Sequence, residues 1–414
     1  MRRLHITVLL AAAAAAVAAP TAALVAPNTS LATIPVAYFG GKGGKSGARS
    51  PANLAMLSKM RIVMLEKWEG GCWDNCLANA TAGLPCSRCN VEEDMLGTLT
   101  AVRSLNPAVT TVMYLNALLM FPFYELAGKY IAADALLKGV DGNPVELKND
   151  DGMRGVFVPD FGTQAGRDLW MAEVTGWLGT GLVDGIFADK WPDQAHVNQS
   201  DPGGSWTICN KVCAAISPDA GAAFNAGKLQ LRANLSALFK VDENTGFAGL
   251  LYGDGCDGCY RKGPPRIDGN LVGPWIKNWQ NPAPHPTVTG QNVINTVLLV
   301  RSLLHTYHYA HVYVGCGDHH PSENKPVPPC EQDLCTDCTP DGIAIFLLLV
   351  EEGVFLGANG WDPAFDRPLG EPKGPASNVT GAGGEVVGLE RSFASGTVVY
   401  YNLTNNSATI DWAA

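Results

Sequence analysis

Short apolar runs recur along this chain, each closing abruptly on polar or glycine-rich residues, and amphipathic stretches separate most of them. The sharpest case is Gly181–Gln194. There Leu182, Val183, Ile186 and Phe187 surround an Asp-Gly pair and give way to Asp189, Lys190, Trp191 and Pro192. Such a run reads as a buried parallel strand that delivers a carboxylate, an ammonium and an indole into a loop. Its strand, Leu182–Ala188, is the fourth of eight. The others are Ile34–Phe39, Arg61–Leu65, Thr110–Leu115, Gly246–Tyr252, Gly269–Trp275, Ala310–Val314 and Val354–Gly357. Helical patterns fall between them: Pro51–Lys59, a segment capped by Asn90, Thr163–Leu178, Ala220–Phe239, Gln291–His305 and Asp341–Glu352. In the Asn90-capped helix, Glu92 and Glu93 suit the first turn, and Leu96, Leu99, Val102 and Leu105 form the expected apolar face. Alternation of this kind predicts an α/β chain, a TIM (β/α)8 barrel over residues 27–365.

Two stretches break the alternation. Ala117–Val158 is long and carries the aromatic run Phe121-Pro122-Phe123-Tyr124, so it reads as a wall or lid over the barrel mouth. From Asp366 onward the pattern changes to Gly/Pro turns and alternating strands, Glu390–Phe393, Thr397–Asn402 and Ala408–Trp412. Residues 366–414 are therefore expected to form a small C-terminal antiparallel β unit.

Composition narrows the partners. The net charge is -10 and there is no basic cluster, which speaks against nucleic acid and anionic membrane surfaces. Met1–Ala26 has two arginines, an apolar stretch Ile6–Ala19 and small residues at Ala19, Ala23 and Ala26 that suit cleavage, the pattern of a secretory signal. The apolar run in Asp341–Glu352 is too short to span a bilayer and ends in two glutamates, so no stable membrane insertion is expected. The cysteine count is even, at 12, and on a secretory route that favours disulfides over zinc despite three Cys-x-x-Cys pairs. Seven Asn-x-Ser/Thr sequons agree with a glycosylated, secreted protein.

Chemistry is expected where the strands end, since barrels of this kind work at the C-terminal strand edge. That edge would carry Glu66, Asn116, Asp189 and Asp254, with Asp160, Lys190 and the indoles of Trp68, Trp191, Trp275 and Trp361 as binding groups. Carboxylates among exposed indoles point to carbohydrate. Cleavage of a glycosidic bond needs two carboxyl groups across it. Asp189 is the first candidate, as nucleophile or base; Asp254 follows as the acid and Glu66 is third. Asp184, inside the strand, is better suited to hydrogen-bonding backbone. Asp318, His319 and His320 could hold a metal ion, but no spacing presents them together, so neither a metal nor another cofactor is expected. The rival readings are a glycan-binding barrel without catalysis and a metal-dependent carbohydrate hydrolase.

These residues also resemble a known family. The order runs from Glu66-Lys67-Trp68 through an Asn-ending third strand to Asp160-Phe161-Gly162 with Arg167-Asp168-Leu169-Trp170, and on to the run VDGIFADKW at 183–191. It continues in the run RPLGEPKG at 367–374 and closes at Glu390–Asn402. This is similar to the hypothetical glycosyl hydrolase family 15, a group of TIM-barrel proteins with a short β-rich tail. The resemblance implies a carbohydrate substrate and puts Asp189 in the nucleophile position. Related α-galactosidase-like barrels place their acid/base at the end of the sixth strand. Here that edge, Trp275-Ile276-Lys277-Asn278-Trp279, has no carboxylate.

Overall fold

The computed structural model describes residues 24–42, 48–70, 91–147, 155–190, 195–197, 206–210, 212–239, 250–254, 269–272, 309–312 and 340–413. Eight parallel strands form one curled sheet. They are β1 (Val36–Gly40), β2 (Ile62–Leu65), β3 (Thr110–Asn116), β4 (Gly185–Asp189), β8 (Leu250–Asp254), β9 (Gly269–Val272), β10 (Tyr309–Val312) and β11 (Val354–Gly357). They hydrogen-bond in that order, and β11 pairs in turn with β1, so the pairing closes on itself. Three short antiparallel strands, β5 (His196–Val197), β6 (Trp206–Asn210) and β7 (Val212–Ile216), are inserted after β4.

Local signals start the crossover helices. Helix α1 (Pro51–Leu57) opens with Ser50 accepting from the Asn53 N–H and a proline in its first turn. Helix α2 spans Val91–Leu105 and α3 spans Glu125–Ala132. Helix α4 (Gln164–Gly179) is capped by Thr163, and α5 (Pro218–Leu238) repeats the Ser-Pro opening at Ser217. On α2 the buried face runs through Val91, Glu92, Met95, Thr98, Leu99 and Val102. Leu105, expected on that face, is 57% exposed and closes the helix as its last residue.

Helix α6 (Pro340–Leu349) is buried from Gly342 to Leu349. Its all-round apolarity fits its burial on every side, including against a second, antiparallel sheet. That second sheet has four strands rather than the three expected: β12 (Ser377–Thr380), β13 (Val386–Ser392), β14 (Val398–Asn402) and β15 (Ser407–Asp411), in that order. Its covered face is Leu389, Arg391, Val399 and Tyr401. Arg391 donates to the carbonyls of Leu347, Leu348 and Val350, at 3.3, 3.2 and 2.6 Å. These are the carbonyls a helix end leaves without partners. Asp341, in the first turn of α6, accepts from the Ala408 N–H at 2.8 Å. Both ends of α6 are thus tied to the second sheet.

The stretch around Cys209 and Cys213 is the hairpin β6–β7, and these two cysteines are bonded to each other. Ala117–Val158, expected as an excursion, contains α3 and a set of short antiparallel bridges. The Val140 N–H donates to the Ala215 carbonyl at 3.2 Å, so the segments that follow β3 and β4 lean on each other. No helix among the described residues is long and apolar enough to cross a membrane.

Candidate active site

Register decides which strand-end residues share a face. Phe39 pairs with Met64, Met64 with Val112 and Val112 with Gly185. The rings of Phe39 and Phe187 meet at 5.3 Å although β2 and β3 separate their strands, so this row points into the curled sheet. Side chains alternate along a strand, so the same face carries Glu66 and Tyr114 two residues further on and Asn116 and Asp189 four residues further on. Glu66 continues the strand direction, with φ -111° and ψ 174°. The C-terminal edge therefore gathers a glutamate, a tyrosine, an asparagine and an aspartate from three adjacent strands.

Asp189 is half-buried and accepts hydrogen bonds on both oxygens. The Tyr114 hydroxyl and the Asn116 amide nitrogen, the latter at 2.8 Å, both donate to Oδ2. The Lys190 N–H donates to Oδ1 at 2.8 Å. The Asn116 amide is oriented from behind. Its Oδ1 accepts from the N–H groups of Leu118 and Leu119 at 2.8 and 2.7 Å, which leaves the NH2 group facing Tyr114 and Asp189. Burial, reinforced by the Asp189 charge, holds the Tyr114 phenol well above its ordinary range, so it stays a donor. Tyr124 is pushed the same way by burial and by the charges of Glu92, Glu66 and Asp189.

Glu66, 6% exposed, is paired with Lys67, whose Nζ is 3.1 Å from Oε2. The same ammonium lies over the rings of Tyr114 and Trp68, 4.6 and 5.2 Å from their centroids. A side chain at Gly41 would come within 2.3 Å of the Trp68 backbone, so glycine there lets the loop leaving β1 close down on the Lys67–Glu69 turn. Beneath that turn Glu69 and Arg49 form a buried pair at 2.6 Å, and Thr98 donates to the same carboxylate.

The residue after Asp189 adopts a left-handed backbone, with φ 57° at Lys190. Lysine occupies that region at some cost, and the turn is tied down on its far side. Lys228 of α5 donates to the Lys190 carbonyl at 3.0 Å, and Asn225 exchanges two hydrogen bonds of 2.9 Å with the Ala195 backbone. Both flanks of the loop that carries Trp191 are thereby fixed to α5.

The other expected residues divide. Asp254 ends β8 itself rather than following the strand. Its neighbour Gly253 pairs with Ala188, which sets the backbone of Asp254 beside that of Asp189. Of the expected fifth strand, Gly246–Tyr252, the last three residues lie in the Leu250–Asp254 ladder, and 246–249 lie outside the described residues. Asp160 supports the turn before α4: its Oδ1 accepts from the Gly162 N–H at 3.0 Å, and burial raises its carboxyl above the usual range. Trp68 is only 5% exposed, so its indole is packed rather than presented to a sugar. Trp361 stands beside Lys59, in the turn that enters β2, and donates to Asp366 at 3.0 Å. Trp191, Trp275, Lys277, Asp318, His319 and His320 lie outside the described residues. Tyr114 and Lys67 were not foreseen as site residues. The available signal was the i, i+2 spacing of Tyr114 to Asn116 and the position of Lys67 directly after a strand. No group of three metal-ligating side chains occurs among the described residues.

No protein-family model matches the chain, and no curated protein is similar to it at a significant level. The resemblance to the hypothetical glycosyl hydrolase family 15 therefore remains a resemblance. Among solved structures the chain is similar to an alpha-galactosidase from Thermus thermophilus in complex with p-nitrophenyl alpha-D-galactopyranoside. The identity is 15% over 81% of this chain and 60% of that one, with a TM-score of 0.44. It is similar to a maltogenic alpha-amylase from Thermotoga neapolitana at 13% identity over 91% and 88%, with a TM-score of 0.45. An alpha-N-acetylgalactosaminidase from Bifidobacterium bifidum gives 11%, 92%, 58% and 0.44. The chain spans 60% of the length of the first of these and 58% of the third. Scores below 0.5 carry no argument about activity, which has to rest on the site.

Proposed function

We propose that this chain is a glycoside hydrolase built on a complete (β/α)8 barrel over residues 27–365, with residues 366–414 as its β-rich tail, and that it cleaves a poly- or oligosaccharide. The observation that carries the reading is the Asp189 carboxylate. It sits half-buried at the C-terminal edge of β4, accepts from Tyr114, Asn116 and the Lys190 N–H, and makes no ion pair among the described residues. Three donors and no cation suit an anion that must share its charge with a reacting carbon or a water. Asp189 acts as nucleophile or base. Asp254 supplies the proton, because its backbone position is set beside Asp189. Glu66 is engaged by Lys67 and is the weaker candidate for that role.

The Cys209–Cys213 bond, together with the leader-like pattern of Met1–Ala26, supports a secretory route, because disulfides persist in oxidising compartments. A second reading, a glycan-binding barrel without catalysis, is favoured by one observation. Glu66, a carboxylate on the same face as Asp189, is already ion-paired with Lys67. The deciding experiment is a screen of the protein on aryl glycosides and polysaccharides, with Asp189→Asn and Asp254→Asn alongside. Hydrolysis that both substitutions abolish supports the proposal. Hydrolysis that Asp189→Asn leaves intact refutes it, and binding without turnover supports the second reading.

A further inference from the structure

The Glu66–Lys67 pair is incompletely used by the protein. An ammonium has three N–H donors. Among the described residues Lys67 finds one oxygen acceptor, Glu66 Oε2 at 3.1 Å. Its remaining surroundings are ring faces: Tyr114 at 4.6 Å, Trp68 at 5.2 Å and Phe121 at 5.7 Å from the centroids. These faces attract the charge but take no conventional hydrogen bond. The Glu66 side chain is 7% exposed and that of Lys67 is 13% exposed. Glu66 Oε1 has no donor among the described residues, since the one bond to this carboxylate ends on Oε2. Two nearly buried charged groups thus keep free hydrogen-bonding capacity on the face that also carries Tyr114 and Asp189. Such capacity is costly to leave unfilled, and a ligand would fill it.

We infer that Glu66 and Lys67 form a subsite for two adjacent hydroxyls of a neutral sugar ring: Lys67 donates to one oxygen, and the next hydroxyl donates to Glu66 Oε1. This deepens the reading of the site as a glycosidase and rests on it for the orientation toward Asp189. It moves Glu66 from catalysis to binding and names the substrate class. The sugar is neutral, because Glu66 already balances the Lys67 charge and a sugar carboxylate would meet no unpaired cation there. Tyr114 connects the two functions, with its ring under Lys67 and its hydroxyl on Asp189.

The test uses the full chain carrying Asp189→Asn, so that no ligand is consumed. Calorimetry or ligand-observed NMR measures methyl gluco-, galacto- and mannopyranosides, their monodeoxy forms and methyl glucuronide. We expect at least one neutral glycoside to bind and the glucuronide to bind no better. Lys67→Met should weaken the neutral ligand by tenfold or more. Removing one ring hydroxyl should weaken binding when Lys67 is present and change little in Lys67→Met. That last comparison is internal to each protein, so a general loss of stability in the variant cannot imitate it. Failure of every neutral glycoside to bind, tighter binding of the glucuronide, or the same deoxy penalty with and without Lys67 would each overturn the inference. The hydrolysis screen is read separately. Turnover lost with Asp189→Asn but sugar binding indifferent to Lys67 sinks this subsite alone. The reverse pattern sinks the catalytic assignment alone.

Discussion

Asp184 and Asp189 stand five residues apart in one short segment, yet the protein treats them oppositely. Asp184, at the entry to β4, is 1% exposed and accepts from the N–H groups of Val25 and Thr111, from the Thr111 hydroxyl and from the Arg103 guanidinium. Its acceptor sites are filled and its charge is matched. Asp189, at the exit, has neutral donors and no cation among the described residues. A carboxylate saturated by backbone and arginine is a fastener; one that is half-buried and held by neutral donors is placed to act on something else. The difference follows the parallel sheet, whose N-terminal edge holds structure and whose C-terminal edge faces the loops.

The largest effect that could break this contrast lies at the entry. Asp184→Asn leaves Arg103 without its counter-charge in a buried setting and should cost about 3–5 kcal/mol of stability, read as a fall in the urea midpoint. A midpoint within ~1 kcal/mol of the parent would mean that Asp184 is no fastener.

A third carboxyl sharpens the comparison by having too few partners. Glu92 is buried on α2, accepts from the Leu126 N–H at 3.3 Å, and leaves Oε2 without a hydrogen-bond partner among the described residues. Burial raises it from 4.5 to about 7, with Glu173 adding like charge. A carboxyl raised in the folded state favours folding when protonated. Its contribution is complete below about pH 4.5 and is lost as the pH rises through about 7. The span is worth roughly 3 kcal/mol. Glu92→Gln should therefore flatten stability between pH 5 and 8, a range taken from about that interval. Urea titrations at several pH values check it, and an unchanged slope would show that Glu92 is solvated or paired.

How much of this contrast could be read from the chain alone differs by residue. The apolar run at Leu182–Ala188 marks a buried strand, and its closing Asp-Lys-Trp marks an exit loop. The ladder itself runs Gly185–Asp189, because hydrophobicity records burial and not where interstrand hydrogen bonds begin. Asp184 was legible as a backbone acceptor, from its place inside the run. Tyr114 was not legible, since an aromatic inside a β-branched run reads as core until its hydroxyl has a partner two strands' worth of register fixes. Cys209 and Cys213 were expected in disulfides, but their pairing with each other needs the β6–β7 register, which spacing does not supply. Helix α3 went unread because eight residues containing Gly128, directly after an aromatic run, give little period to detect. Strand β12 is exposed and flanked by glycine and proline, so its alternation is weak.

The smallest expected effect is at Tyr114. Tyr114→Phe removes one of three donors to Asp189 and keeps the ring under Lys67. Hydrolysis should slow about tenfold, or ~1.4 kcal/mol, with the melting midpoint nearly unchanged. A rate equal to the parent would mean that Asp189 does not depend on that hydroxyl.

The most direct test sets the two aspartates against each other. Asp189→Asn and Asp184→Asn are assayed on the best glycoside from the screen, at temperatures where both are folded, with rates expressed per folded molecule. The account predicts that Asp189→Asn melts like the parent and hydrolyses at least about a thousandfold more slowly, while Asp184→Asn melts earlier and keeps its rate. Equal rates for Asp189→Asn and the parent would contradict it.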